Sequence, residues 1–558
     1  MLLYPFRYLW WLVSSLRRSF GRPPEYVEFV LEEALPALPD PPRPFWQRFL
    51  GKPRLSVKEL GERFDAIGRD RRIKGVVLHL RPTPTSMAGV QDLHELVVRL
   101  RTRGKRVVAW APFYTTGTYY LACACDEILL MPGGMVQPLG FASTGVFLAE
   151  GLARFGIAGD FVQVSPYKSA ADTLTKAKMS PELREQVTWL LESQHGELVS
   201  AIAESRSMDE AGARKLIDGS PYDDDVVVER HVIDKVLAEE DLSAHLGGSI
   251  GTWERASRRM RKRAPALRRG RYVALMRVEG TIIDGRSGRP PVRPPVDVPL
   301  VGDDRAGDLT VVQVARQVAS DRRAAAMVLY VNSRGGSSTA SEAMRQALSV
   351  VAARKPVVVV MGPVAASGGY AISMPGSWLL ARPSTLTGSI GVLGGKIVTG
   401  GLFSKLLFNR ETIAFGEHAT MQSDERPFTN EERAIFKREI DHLYGEFLDT
   451  VARSRTISVD ELRPLAEGKV WTGRQALERK LVDDLGGLDA GLRKARQLSG
   501  LKEDAPLREV RGPRRVLPPL TPPPAVALGW LGYALEGLSI LSRAPALAVM
   551  EYLPPDLT

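Results

Sequence analysis

The sequence predicts an α/β protein built from two tandem copies of one unit, with apolar N- and C-terminal extensions. Two observations carry this. Short runs of β-branched and aliphatic residues alternate with longer stretches of helical periodicity, as when mostly parallel strands are joined by helices. The pattern also returns at an offset of about 250 residues: residues 71–80 align with 322–331, 104–109 with 354–359, 118–122 with 368–372 and 228–234 with 477–483. A length of 558 residues with 44% hydrophobic and 25% charged content leaves ample material for more than one core.

Taken in order, residues 1–16 are apolar and aromatic, with Trp10 and Trp11, interrupted by Arg7 and closed by Arg17 and Arg18. As a helix they would span about 24 Å, short of a hydrocarbon core of about 30 Å. No small-x-small cleavage site follows, so an interfacial helix or short snorkelled anchor is expected rather than a cleaved leader. A helix packed on its own protein is the alternative. Residues 22–53 are Pro-rich and read as irregular, which gives an anchor-and-linker region over 1–54. Regular patterning then begins: a helix over 55–69, a strand over 75–80, a helix over 93–103 and a strand over 106–110. The first copy is expected over 55–254, a basic linker over 255–271 and the second copy over 272–500. Within the second copy, residues 280–308 read as a long loop rich in Pro, Gly and Asp. The tail, 501–558, is Pro-rich and then apolar; residues 525–541 are a second membrane-surface candidate or an assembly helix.

The net charge of +11 and pI near 9.5 suit an anionic partner. No zinc-finger spacing, RNA-binding aromatic motif or basic-region heptad accompanies that charge, so no nucleic-acid partner is expected. Cys123 and Cys125 are read as strand neighbours on one face, too strained for a disulfide, and therefore as small buried apolar residues. No metal site and no cofactor are expected.

The candidate chemistry centres on Ser367. A β-branched run over 355–361 precedes it and a helical turn follows, so this serine sits at a strand-to-helix turn with Gly368 and Gly369 behind it. Such a turn exposes a nucleophile, and the N–H of the next residue, Gly368, can face a developing oxyanion. In the first copy Gly117 stands at the equivalent place. A serine nucleophile needs a base. Of the seven histidines none lies in a triad motif; His418, in the second copy, is one candidate. Lys168, after a strand-like run over 160–164, is the other, because a desolvated lysine has a lowered pKa. One copy holds the lysine and the other the serine, which a single site assembled from both would explain.

Four motifs, Tyr167-Lys168-Ser169-Ala170, Val331-Asn332-Ser333-Arg334-Gly335-Gly336, Ala366-Ser367-Gly368-Gly369-Tyr370 and Thr387-Gly388-Ser389-Ile390-Gly391-Val392, resemble the long-form signal peptide peptidases in order and spacing. The resemblance covers roughly residues 55–500. It implies two ClpP/crotonase-like domains, Ser367 as nucleophile, Lys168 as general base, Ser389 orienting the lysine, and the N–H groups of Gly368 and Gly336 as oxyanion hole. It implies cleaved signal peptides and other apolar or unfolded peptides as substrates, a homotetramer, membrane lipid as a partner, and a bacterial-type inner membrane, with the membrane face left open. Two departures stand out: Arg334 replaces the usual Pro, and the tail after Pro524 has no match. Ile397 follows Gly395-Lys396 where a phosphate loop needs Ser or Thr, so hydrolysis is expected to be ATP-independent. The rival readings are a crotonase-type acyl-CoA hydratase or thioesterase, and a non-catalytic membrane scaffold.

Overall fold

A computed structural model describes residues 8, 10–12, 21–40, 54–83, 85–260, 270–288 and 304–512, and the backbone of 547–549. Two compact units result. Among the described residues, one holds the chain up to Ala142 and Gln194–Gly270; the other holds Ser143–Ser193 and those from Arg271 on.

Among the described residues the first unit carries a seven-stranded sheet, ordered Tyr222–Asp223, Glu127–Gln137, Arg106–Thr115, Gly75–Leu80, Tyr26–Leu31 and Ile250–Thr252, with Lys235–Val236 also on Glu127–Gln137. The second unit repeats this plan in an eight-stranded sheet: Val470–Thr472, Leu386–Gly388, Val357–Ala366, Ala324–Ser333, Tyr272–Glu279 and Leu507–Glu509, with Trp378–Ala381 also on Val357–Ala366 and Asp484–Leu485 on Trp378–Ala381. The central strands are parallel and apolar on both faces, as sheets covered by helices require. A further six-stranded sheet belongs to the second unit alone.

Several expectations need correction. Residues 22–53 are not irregular throughout, since Tyr26–Leu31 pairs in parallel with Gly75–Leu80. Val27, Phe29 and Leu31 alternate into the core, but prolines on both sides mask so short a run. The strand is the counterpart of Tyr272–Glu279, so the first copy begins before residue 55. The start of the basic linker is a helix, Trp253–Arg259, capped by Thr252. The 280–308 loop has strands at both ends, Thr281–Ile283 and Arg305–Gly307, paired with each other. Cys123 and Cys125 lie not on a strand but just past the helix Thr116–Ala122; both are buried and free, and burial pushes the Cys123 thiol up to about 12. Among the described residues no helix is long and apolar enough to cross a membrane. Most of 1–16 and all of 525–541 lie outside the described residues.

The expected copy boundary and the compact units also differ. Ser143–Ser193 precedes the linker in sequence yet packs in the second unit. Its strand Ala158–Gln163 pairs antiparallel with Leu393–Val398. Val187 and Leu190 share a small core with Val364, Ala366, Leu386 and Val470. At about 1.5–3 kcal/mol for each large aliphatic side chain buried, that core contributes to holding the segment alongside the strand pairing.

The duplication is sharpest in its buried polar groups. Tyr119 donates its hydroxyl to the Val232 carbonyl at 2.5 Å, and Tyr370 to the Leu481 carbonyl at 2.7 Å. Arg206 pairs with Asp234, and Arg455 with Asp483. Tyr370→Phe strands a buried carbonyl and is expected to cost about 1–3 kcal/mol. The reading is a lower urea midpoint with an unchanged slope, and an unshifted midpoint would refute that role for the hydroxyl.

Candidate active site

Ser367 follows the last residue of the strand Val357–Ala366 and opens the short helix Gly368–Ala371. Its backbone is at φ 54°, ψ −117°, a conformation that costs about 1–3 kcal/mol and persists only where the surroundings impose it. They do so here. The Ser367 N–H donates to the Gly388 carbonyl at 2.8 Å, continuing the register that pairs Ala366 with Gly388. Gly369 presses on the Ser333 carbonyl so closely that a Cβ would sit 2.5 Å from its oxygen.

The same register brings Ser389 alongside. It too has a positive φ, 51°, and its N–H donates to the Lys469 carbonyl at 2.7 Å. Lys168 arrives from the other direction. The strand Ala158–Gln163 runs along Leu393–Val398, Val164 donates to the Val392 carbonyl, and a tight turn from Ser165 delivers the lysine. Its Nζ lies 2.7 Å from Ser367 Oγ, 2.9 Å from Ser389 Oγ and 2.9 Å from the Ser389 carbonyl. Ser367 is wholly buried and Lys168 is 1% exposed. Burial holds the Lys168 amine well below its ordinary 10.5. Between that lowered value and 10.5 the unfolded chain carries a proton that the folded chain lacks, so stability rises with pH across the window. In the neutral form, two N–H bonds go to Ser389 and the lone pair accepts from the Ser367 hydroxyl.

The remaining expected residues take separate positions. Gly368 is the first residue of its helix, so its N–H has no intrahelical acceptor. Gly336 lies on the strand Gly335–Ser337, against which that helix packs; a Cβ there would collide with the Ile282 carbonyl oxygen. Arg334 leaves the loop intact, and Ser333 Oγ accepts from the Gly335 N–H at 3.1 Å. His418 sits in an exposed stretch, unlike the buried Ser367, so of the two candidate bases it is Lys168 that contacts the serine.

Sequence reasoning missed the turn Glu467-Gly468-Lys469. Gly468 has φ 82°, and a Cβ on it would come within 2.6 Å of Lys168 Cβ. Its neighbours hold both partners, since the Glu467 carbonyl accepts from Ser165 Oγ at 2.5 Å and the Lys469 carbonyl holds Ser389. A turn glycine was the only local signal, and Lys168 lies some 300 residues away along the chain.

Two copies of a parallel α/β unit, with a serine on a strained turn beside a buried amine, suit a serine-type peptidase, the class to which the comparisons with known proteins assign the chain. The chain belongs to peptidase family S49, whose model matches residues 99–248 and 349–502. "Protease 4" of Salmonella typhi is 31% identical over 78% of this chain and 70% of its own length. "Serine protease SPPA, chloroplastic" of Arabidopsis thaliana is 28% identical over 83% of this chain and 69% of its own. A solved ClpP1 point mutant from Listeria monocytogenes aligns over 39% of this chain and 94% of its own at 14% identity, with a TM-score of 0.24, too slight to bear on function.

Gly468→Ala is expected to displace Lys168 and to lower kcat at least about tenfold, since a misplacement near 1 Å can cost a hundredfold. Steady-state hydrolysis of an unstructured peptide reads this, alongside an unchanged circular dichroism spectrum. Normal turnover would remove the turn from the site.

Proposed function

We propose that this chain is an endopeptidase in which Ser367 is the nucleophile and Lys168 the general base. One observation carries the reading, the 2.7 Å contact between a buried lysine amine and a serine hydroxyl on a strained turn. Neutral Lys168 takes the hydroxyl proton as Ser367 Oγ attacks the peptide carbonyl, and returns it to the leaving amine. Water then hydrolyses the ester, again activated by Lys168. Ser389 fixes the amine's direction through its two contacts. The N–H groups of Gly368 and Gly336 stabilise the oxyanion, each such donor being worth about 3 kcal/mol. No step calls on a cofactor or on ATP.

The substrates are peptides, namely cleaved signal peptides and other apolar or unfolded chains. The working form is a homotetramer attached to a bacterial-type inner membrane. The attachment rests on the aromatic and basic character of residues 1–18 and the apolar stretch 525–541. An acyl-CoA hydratase needs no such serine–lysine contact, and a scaffold needs no strained serine.

Ser367→Ala and Lys168→Ala should each abolish peptide hydrolysis with the fold retained. Ser389→Ala should lower kcat more than it raises KM. Because only the neutral amine can act, wild-type activity should rise with pH along a limb whose midpoint lies well below 10.5. A Lys168→Ala variant with normal turnover would sink the assignment. Deleting residues 1–16 together with 525–541 should release the protein from washed membranes; a truncated chain that still sediments would shift the attachment elsewhere, first to the basic residues 255–271.

A further inference from the structure

Among the described residues the strand Val470–Thr472 ends the eight-stranded sheet and pairs on one side only, antiparallel with Leu386–Gly388. In such a pair the backbone groups of successive residues face the neighbour and the open edge by turns. Lys469 faces inward, where its carbonyl holds the Ser389 N–H at 2.7 Å. Val470 faces the open edge, and side chains of the long helix Pro181–Arg206 take both of its backbone groups. Gln186 Oε1 accepts from the Val470 N–H at 2.9 Å, and Trp189 Nε1 donates to the Val470 carbonyl at 2.9 Å. Further along, Ser193 Oγ lies 2.7 Å from Thr472 Oγ1. Spacings of three and four residues put 186, 189 and 193 on one helix face, which here stands in for a neighbouring strand.

Trp189 also joins the two arms of the site. It stacks on Trp471 with ring centroids 5.0 Å apart, and its ring meets that of Tyr167, the residue before Lys168, at 6.1 Å. Trp471 in turn presses on Gly388, where a Cβ would sit 3.1 Å from its Cδ1. Gln475 Nε2 fixes the Trp189 backbone by donating to its carbonyl at 3.0 Å. The repeat supplies an independent observation. Arg206 and Arg455, each paired with an aspartate, align this helix with Asn430–Arg455. At that offset Gln186, Trp189 and Ser193 correspond to Ile435, Arg438 and His442, the last two exposed. The groups that hold the scaffold recur in both copies, whereas this set, like the lysine and the serine, occurs once.

We propose that Gln186 and Trp189 are positioning residues for the base. Through Val470 and Trp471 they fix the Glu467-Gly468-Lys469 turn, and with it the place of Lys168 Nζ between Ser367 and Ser389, and they keep water from the amine. The effect on turnover rests on the serine–lysine reading given above; the shielding of Lys168 does not. The charged groups on the elements packed around Lys168 are Glu467 and Lys469 on the turn, Asp172 paired with Lys176, and Glu185 on the long helix. Burial, rather than any of these, holds the amine low, so admitting water moves it back up toward 10.5.

Two variants test this. Trp189→Phe keeps a ring against Trp471 and removes the Nε1–H donor; Gln186→Met keeps the length and removes the acceptor. With an unstructured peptide as substrate, each should lower kcat at least about fivefold with KM held within about twofold. Each should also move the midpoint of the rising pH limb upward by at least about half a pH unit. Tyr119→Phe, which strands a buried carbonyl in the first unit, is the control and should leave that midpoint in place. A second measurement is independent of turnover. In Ser367→Ala chains, the rise of the urea midpoint with pH that Lys168 supplies, taken as the difference from chains that also carry Lys168→Met, should shrink in both variants. A pH limb that stays in place in both variants of an enzyme that Lys168→Ala inactivates overturns the proposal, whatever kcat does. If Lys168→Ala turns over normally, the serine–lysine reading falls instead and the urea measurement decides alone: a smaller rise supports the shielding, and an equal rise overturns it.

Discussion

A lysine amine can serve as a base near neutral pH only where water is excluded, and the same exclusion leaves every polar atom around it in need of a partner. The lysine proposed here as base meets both demands with three atoms. Ser367 Oγ, Ser389 Oγ and the Ser389 carbonyl surround Lys168 Nζ, and together they match its hydrogen-bonding capacity in either protonation state. Much of the neighbouring architecture keeps that arrangement dry and fixed. The register between Val357–Ala366 and Leu386–Gly388 sets the two serines side by side. The pairing of Ala158–Gln163 with Leu393–Val398 brings the lysine from a distant part of the chain. The Glu467-Gly468-Lys469 turn closes over its backbone. Two serines with positive φ, each held through its N–H by a carbonyl, are where this part of the backbone carries its strain.

The two copies share their scaffolding and differ in their chemistry. Each retains a tyrosine that donates to a distant carbonyl and an arginine–aspartate pair that ties a helix to the sheet. Each also has a lysine, Lys105 or Lys355, that donates to a carbonyl just ahead of the strand Gly75–Leu80 or Ala324–Ser333. These groups satisfy buried backbone atoms, so losing one is costly in either copy. Nothing in the sheet itself requires a serine where the first copy has Gly117.

Much of this was legible in the sequence. Strands such as Gly75–Leu80 and Val357–Ala366 are continuous apolar runs, and the repeat made their roles mutually reinforcing. Ser367 announced itself by its glycines, and Lys168 by the absence of a serine in its own copy. Three things were not legible, for separate reasons. Tyr26–Leu31 is too short and too closely framed by prolines to stand out. The role of Gly468 is a contact between residues 300 apart in sequence, invisible to any local pattern. And the membership of Ser143–Ser193 in the second unit contradicts chain order, which is all that a repeat alignment can follow.

That last feature has a bearing on how the protein comes into being. Lys168 and Ser367 are 199 residues apart, and the turn that closes on the lysine lies a further hundred beyond. At a synthesis rate of about 5–20 residues per second, the amine leaves the ribosome roughly ten seconds or more before the hydroxyl it must meet. Until then the segment that bears it lacks the strand it pairs with, Leu393–Val398. On the serine–lysine assignment proposed above, any fragment that ends before residue 367 carries the amine without its nucleophile.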